Sequence, residues 1–400
     1  MKNFPLIDFE HAPFSIIDGD RGKNYPKENE FSTEDFCLFL NASNVTQHGF
    51  EFSKCQFISE QKDFVLRKGK LLRDDVILTT GTIGNVAHYN DSIPYDHVRI
   101  NSGMVILRCK EDQLMPQYLY YFLRSPSFHG QVNSLRSGVA QPQLPIRDMK
   151  KIKMPLLNIS MQKNIASILS AYDDLIENNR RRIQLLEQAA RLLYKEWFVH
   201  LRFPGHEHTK IINGIPEGWA KKRLCELADI TMGQSPKSIF YNTDGVGLPF
   251  HQGVTNFGVR FPTHEVYCTV QNRIAEAGDI LFSVRAPVGR INLTLDKIVL
   301  GRGLAAIRSN CGQQNFLFYA LKSYFFKEDM MGGGAIFAAI TKDDLHNVVL
   351  LLPQDYLVRM FMDNVIPIDM QISTLHQVTE RLTQARDLLL PRLMNGEIAV

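Results

Sequence analysis

The sequence predicts an α+β protein in which two pseudo-symmetric globular α+β domains are separated by two long helices forming an antiparallel coiled coil. Three observations carry this prediction. Sequence blocks from the first half return in the same order in the second half. A strict seven-residue apolar repeat follows each copy. The segments ahead of each repeat are short β-rich runs broken by Gly, Asn, Asp and Pro.

The blocks are short but ordered. Asp75 opens D-V-I-L-T-T-G-T-I-G, ending at Gly84, and Asp279 opens D-I-L-F-S-V-R-A-P-V-G, ending at Gly289. S-G-M-V-I-L-R at 102–108 returns as R-G-L-A-A-I-R at 302–308, an offset of 200, and R-D-M-K-K-I-K-M at 147–154 returns as D-D-L-H-N-V-V-L at 343–350, an offset of 196. Two copies at so long a period point to a pseudo-dimer in one chain, not a solenoid. The runs 76–80, 104–107, 280–284 and 348–352 read as strands of α+β cores. Four regions follow: a globular domain over 1–155, a helical region over 156–200, a second globular domain over 201–352 and a second helical region over 353–400. The His-, Gly- and Pro-rich stretch 199–219 reads as the linker into the second globular domain.

The helical regions carry the strongest pattern. Steps of four and three residues give Ile165, Leu169, Tyr172, Ile176, Asn179, Ile183, Leu186, Ala190, Leu193 and Trp197. Adding 196 gives Phe361, Val365, Ile368, Ile372, Leu375, Thr379, Leu382, Arg386, Leu389 and Leu393. This is a coiled-coil seam. Pro367, which has no backbone N–H, is expected to start the second long helix, so the long helices are placed at 171–198 and 367–394, each after a shorter helical segment. Asp173, Asp174 and Glu177 then fall in the first turns of a helix and read as capping charge. A pseudo-two-fold between the halves makes the pairing antiparallel. It sets Asn179 opposite Thr379 and Tyr172 opposite Arg386, a register in which polar seam residues specify alignment and Arg386 can sit over the Tyr172 ring or snorkel at the rim.

Composition excludes several classes. The 400 residues carry 45 Lys and Arg against 42 Asp and Glu, a balance of +3, which is neither a polycation nor an acidic solvating chain. At 44% hydrophobic and 22% charged, the chain reads as folded, and no apolar run approaches the ~18 residues of a membrane span. The start, M-K-N-F-P-L-I-D-F-E, does not read as a signal peptide, so a cytoplasmic protein is expected. Six scattered cysteines (Cys37, Cys55, Cys109, Cys225, Cys268, Cys311) form no C-x-x-C pair and read as reduced thiols. His206 and His208 lie in a polar stretch without a matching cluster, so no metal site is expected. There is no nucleotide-binding G-x-x-x-x-G-K-[ST], no G-x-S-x-G, no H-E-x-x-H, and no Pro-Pro dipeptide from which an amino-methyltransferase motif could be built. The glycine run 332–334 reads as a flexible loop. Basic residues gather locally, at Arg67, Lys68, Lys70 and Arg73, at Lys150, Lys151 and Lys153, at Lys221, Lys222 and Arg223, and at Arg285, Arg290, Arg302 and Arg308. Such groups suit phosphate contacts, with a solvated face as the alternative.

Several stretches resemble the DNA specificity subunit of type I restriction–modification systems, over nearly the full length. I-P-E-G-W (215–219), M-G-Q-S-P-K (232–237), Y-N-T-D-G (241–245), L-P-F-H-Q-G (248–253) and G-D-I-L-F-S-V-R-A-P-V-G (278–289) look like that family's target recognition domain. Y-K-E-W-F (194–198) resembles the end of its central conserved helix. G-K-N-Y-P-K (22–27), F-L-N-A-S-N-V (39–45) and L-R-D-D-V-I-L-T-T-G-T-I-G (72–84) look like the first-half version. The resemblance implies a non-catalytic subunit that reads a bipartite asymmetric sequence in double-stranded DNA, one half per recognition domain, with the helices as spacer. It implies docking of two modification subunits that carry S-adenosylmethionine and methylate adenine, and restriction subunits that bring ATP and Mg, with no cofactor in this chain and no membrane partner. Loop residues in these motifs are the candidate DNA contacts: Lys23, Tyr25, Asn44 and Thr82 in the first domain, Ser235, Lys237, Tyr241, Gln252 and Arg285 in the second. A stand-alone or architectural DNA-binding protein and a coiled-coil protein scaffold are the two alternatives.

A helix of about 28 residues spans roughly 42 Å at ~1.5 Å per residue. One turn of B-DNA is ~34–36 Å, so a spacer of this length suits half-sites about one turn apart. Inserting whole heptads into both helices is therefore expected to lengthen the unspecified spacer of the methylated motif and leave its half-sites unchanged. Sequencing methylated DNA checks this, and altered half-sites would contradict the spacer role.

Overall fold

The computed structural model describes residues 4–47, 49–81, 84–110, 112–135, 143–325 and 339–398. The chain divides into two compact units, one of 1–180 with 377–400 and the other of 181–376. Each unit thus owns one globular domain and a stretch of both long helices.

The two globular domains repeat one topology. In the first, an antiparallel sheet runs in the order Phe14–Asp18, Met104–Cys109, Val76–Thr79, Val86–His88. In the second, the order is Ala228–Met232, Leu304–Ser309, Ile280–Ser283, Ile291–Leu293. A second sheet is built alike in both. Cys37–Leu40 pairs antiparallel with Phe57–Ile58 and parallel with Val98–Ile100, while Leu248–His251 pairs antiparallel with Tyr267–Cys268 and parallel with Ile298–Leu300. Of the three repeated blocks, the third (147–154 and 343–350) forms a short helix and a strand of a two-stranded sheet, and the first two are the central strands of the first sheet. Their apolar runs are continuous because both faces are covered. Val76 and Leu78 face the core shared with the helices, and Ile77 faces the core shared with the second sheet. Ile280 and Phe282, against Leu281, divide the same way.

The Asp that opens each block and the Arg that closes the other have a structural job. Arg108 donates from Nε and Nη2 to both oxygens of Asp75 (2.8 and 2.7 Å), and Arg308 does the same to Asp279 (2.6 and 2.8 Å). Both carboxylates are buried and also cap a backbone N–H, of Leu72 and Glu276 respectively. Arg308 is thus held by Asp279 and is withdrawn from the group of phosphate-contacting cations read from the sequence.

Both long helices extend further than the sequence predicts. The first is continuous over Ile159–Tyr194 and ends in a π-helical turn at Lys195–Val199, and the second is continuous over Asp355–Met394. Pro367 does not start the second helix; it lies within it, on the exposed face. Losing one helical hydrogen bond there costs about 3 kcal/mol. Phe361 and Val365 before it and Ile372 after it are fully buried, and each contributes roughly 1.5–3 kcal/mol. Packing on both sides therefore outweighs the break. All the predicted seam residues are buried or half-buried. Within the first unit Ile165 and Leu169 pack in one core with Leu390 and Leu393, and Asp173 meets Arg386, so the helices run antiparallel. Within the second unit Tyr194, Trp197 and Phe198 pack around Phe361, with ring centroids 5.2–6.1 Å apart, in the same sense.

Asp173 is not a helix cap. The helix begins at Ile159, and Asp173 sits well inside it as a hydrogen-bond centre. It accepts from Arg386 Nη1 (2.6 Å), Tyr121 Oη (2.9 Å) and Arg124 Nη1 (3.0 Å). Arg386 spends its charge on Asp173 and on Asp387 (2.8 Å). In the second unit Asp369 accepts from Arg260 Nη2 and Tyr319 Oη, both at 2.6 Å, and from Asn315. Arg260 also donates to Glu187 (2.7 Å), which meets Lys322 (3.3 Å). Arg260 is 3% exposed. Its burial disfavours the charge, but Glu187, Tyr319 and Asp369 outweigh that and raise its pKa.

The Asp173–Arg386 pair fixes the antiparallel register in the first unit, and one heptad along the seam this register brings Asn179 to Thr379. A variant with Asn179→Cys and Thr379→Cys is expected to crosslink rapidly under mild oxidation within one chain. Gel mobility without reductant reads the result, and slow or solely intermolecular crosslinking would exclude the register.

Candidate nucleic-acid interface

In each globular domain the loops at one end of the two sheets are pressed together. In the second domain the Gly233–Lys237 turn, Gln252 and the Gly301–Gly303 turn meet. A Cβ on Gly233 would lie 2.1 Å from the Gly301 carbonyl oxygen, so only glycine allows the approach. In the first domain Gly19 meets Asn101 in the same way, at 2.2 Å from its carbonyl oxygen. The duplication therefore produces one loop cluster per domain.

Hydrogen bonds fix these loops. Ser235 Oγ donates to Gln252 Oε1 (2.7 Å) and accepts from the Arg302 N–H (3.1 Å). Gln252 is exposed, and its Nε2 donates to nothing among the described residues. Tyr241 donates its hydroxyl to the Pro236 carbonyl (2.7 Å) and stacks on Phe250 at 4.4 Å, which clamps the turn from behind. Lys237 is exposed beside it. Arg285 is exposed in the 284–290 loop, which Ser283 closes by donating to the Pro287 carbonyl (2.7 Å) and accepting from the Arg290 N–H (2.8 Å).

The first domain is held differently. Asp20 is buried and accepts from the N–H of Gly22 and of Arg67, both at 2.7 Å. Burial alone would raise its pKa, but these backbone donors overcome it and hold the carboxylate below its usual value. Arg21 reaches the Ser102 carbonyl (3.1 Å), and Lys23 projects into solvent. Tyr25 rests edge-on against Phe39 at 5.7 Å, half-buried. Asn44 departs from the expectation. It is 1% exposed, donates from Nδ2 to the Glu51 and Lys54 carbonyls (3.0 and 2.9 Å) and accepts from the Asn41 N–H (3.0 Å). Its amide is spent on closing the 41–54 loop and leaves nothing for a base edge. Thr82 lies outside the described residues.

Ion pairs sort the cations. Lys70 is paired with Asp63, Arg73 with Asp96, Lys151 with Asp148 and Lys222 with Glu226. Among the described residues Lys23, Arg67, Lys68, Lys237, Arg285, Arg290 and Arg302 make no ion pair. Four of these (Lys23, Arg67, Lys237 and Arg302) belong to the loop clusters. Sequence reasoning counted Arg302 only as part of a basic group. Its place at the start of the repeated 302–308 block, between Gly301 and Gly303, was the signal for a loop position. Among the described residues no group of three His, Cys, Asp or Glu side chains is placed to hold a metal ion, and no helix is long and apolar enough to cross a membrane.

Behind Gln252 runs a polar chain that sequence reasoning missed. His251, 3% exposed, lies 2.9 Å from His264 Nδ1, and His264 Nε2 lies 3.1 Å from Asp296. Burial, then the neighbouring His264, pushes the His251 pKa down to about 4. A histidine depressed below its ordinary value near 6.5 stabilises the fold fully only above that value, and the contribution falls as pH drops from 6.5 towards 4. The fall amounts to about 3 kcal/mol. The two tryptophans, Trp197 and Trp219, both lie in the second unit. Urea unfolding followed by their fluorescence is expected to show this loss in the wild type between pH 7 and 4.5, and to show it much reduced in His251→Gln. An unchanged pH dependence in the variant would remove the assignment.

Known proteins share this architecture. The family model for the type I restriction modification DNA specificity domain matches residues 14–188 and 216–357, once per half. A Methanocaldococcus jannaschii protein named for the MjaX type I restriction enzyme as its specificity subunit is 31% identical over 385 residues, covering 89% of each chain. The type I restriction enzyme HindI specificity subunit of Haemophilus influenzae is 21% identical, over 95% of this chain and 98% of its own. In fold, the chain is similar to the crystal structure of a type I restriction–modification S subunit from M. genitalium, with a TM-score of 0.59 at 17% identity, over 98% of this chain and 97% of that one. With both halves matched by the family model, and a relative above 30% identity along nearly the whole length, the chain belongs to the type I restriction modification DNA specificity domain family.

Proposed function

We propose that this chain is the DNA sequence-recognition subunit of a type I restriction–modification complex and does no chemistry itself. Each globular domain reads one half of a bipartite, asymmetric site in double-stranded DNA, and the paired helices set the number of unread base pairs between the halves. Two modification subunits dock on the chain and bring S-adenosylmethionine for adenine methylation, and restriction subunits bring ATP and Mg. The assembly works in the cytoplasm. The observation that carries this reading is the duplication: one recognition architecture, present twice, with one exposed loop cluster in each copy.

In this reading Gln252, held by Ser235 with its Nε2 donor free, is suited to an adenine or another base edge. Lys23, Lys237, Arg285 and Arg302 supply phosphate contacts that orient the duplex. Tyr25 and Tyr241 hold the turns that carry them. Methylation-sensitive sequencing of cells with and without this chain, together with its modification partner, tests the reading. A bipartite adenine-methylated motif is expected to appear only with the chain, and Gln252→Ala is expected to degrade base preference in one half-site alone, by roughly 1–3 kcal/mol at one position. A motif that persists without the chain would refute the proposal.

A further inference from the structure

Two carboxylates, Asp369 buried and Asp173 half-buried, stand at equivalent places in the duplicated chain. Asp173 on the first helix and Asp369 on the second differ by 196 residues, the offset of the seam, and each accepts from a tyrosine on its own domain's helix, Tyr121 or Tyr319. Each centre ties three elements. In the first unit Asp173 joins the domain helix, through Tyr121 and Arg124, to the second long helix through Arg386. In the second unit Arg260, carried on the domain's 252–266 loop, reaches Glu187 on the first helix and Asp369 on the second, and meets Tyr319 at 3.1 Å.

We infer that these two centres are positioning devices which fix the angle and axial register of each recognition domain on its helices, and thereby the spacer length the complex accepts; this rests on the proposed function above. Apolar packing alone does not set such a register. The aromatic cluster of Tyr194, Phe198, Phe316 and Phe361 gains its free energy from area, which changes little on small rotations. A guanidinium forked between two carboxylates has direction, and burial penalises each misaligned donor. The scale matches: one residue of helix is ~1.5 Å and one base pair ~3.4 Å, so slippage of two residues is about one base pair.

The test uses the full chain assembled with its modification subunits, on duplexes carrying the same two half-sites with the native spacer or one base pair more or less. Wild type is expected to prefer the native spacer by roughly tenfold or more. Tyr319→Phe keeps the ring and removes the hydroxyl that donates to Asp369 and accepts from Arg260. Arg260→Met combined with Glu187→Gln, Asp369→Asn and Lys322→Met removes the charges of this centre together, so none is left unpaired. Both are expected to narrow the spacer preference by about threefold or more, the quadruple variant further, with base preference inside the half-sites unchanged. Equal loss at all spacers with the preference intact would show a merely structural role, and altered base preference would place these residues in readout; either overturns the inference. A wild-type complex that methylates no bipartite site refutes the proposed function itself, and that outcome is distinguishable because it appears before any variant is made.

Discussion

A buried carboxylate needs its cation, and in this chain that requirement selects one alignment of the long helices. The apolar seam supplies most of the association free energy, but a seven-residue repeat is satisfied nearly as well one heptad out of register. Asp173 and Arg386 are not. Slipping by a heptad would leave both charges half-buried and apart; breaking a fully buried pair costs about 3–5 kcal/mol, which is the upper bound for this partly exposed one. A slip regains no buried side chain to offset that cost, because every seam position is covered in the observed register. Arg260 enforces the same choice in the second unit. The cost is carried by desolvation, since three or more polar partners must converge at each centre before burial becomes tolerable.

The recognition domains obey a parallel logic. Continuous apolar strands buried on both faces leave little side-chain variety within the sheets, so chemical variety is pushed to the loops at their ends. Those loops are immobilised by means that cost few side chains. Gly233 and Gly19 let backbones touch, Asp20 and Ser235 take up backbone N–H groups, and Tyr241 locks its turn from behind. Side chains such as Gln252 and Lys237 then project from a rigid base. Their rotamer freedom is the main entropy lost on binding, and the loop's own is already spent.

Much of this was legible in the sequence, for identifiable reasons. The ordered blocks marked the duplication because two of them are central strands, where packing on two faces restricts residue choice, and the third is the short helix and strand that precede each long helix. The seam was legible because heptads depend only on local spacing. What failed depended on contacts between distant residues. Pro367 reads locally as a helix start, and only the burial of Phe361, Val365 and Ile372 around it makes the helix run through. Asp173 reads as a cap once the helix is started too late, and its true partners lie 52 and 213 residues away. Asn44 sits in a loop motif that looks exposed, yet its amide closes that loop. Arg260 gave no local signal at all, since neither Glu187 nor Asp369 is near it in sequence.

The basic residues are sorted by the same logic. Several arginines are neutralised inside the fold: Arg308 and Arg108 hold sheets together, and Arg124, Arg386 and Arg260 hold helices to domains. Among the described residues Lys23, Arg67, Lys237 and Arg302 at the loop clusters, and Arg285 and Arg290 in the 284–290 loop, make no ion pair. Each phosphate contact adds to binding of any sequence with a salt slope of about −0.9, so each cation held in an internal ion pair is one fewer available to non-specific DNA. Discrimination is the ratio of specific to non-specific binding, and in a genome of competing sites it is improved more cheaply by lowering the background than by adding base contacts. Spending arginines on internal geometry therefore serves readout twice, by aligning the loops that meet base edges and by withholding charge that would hold the protein to the wrong DNA.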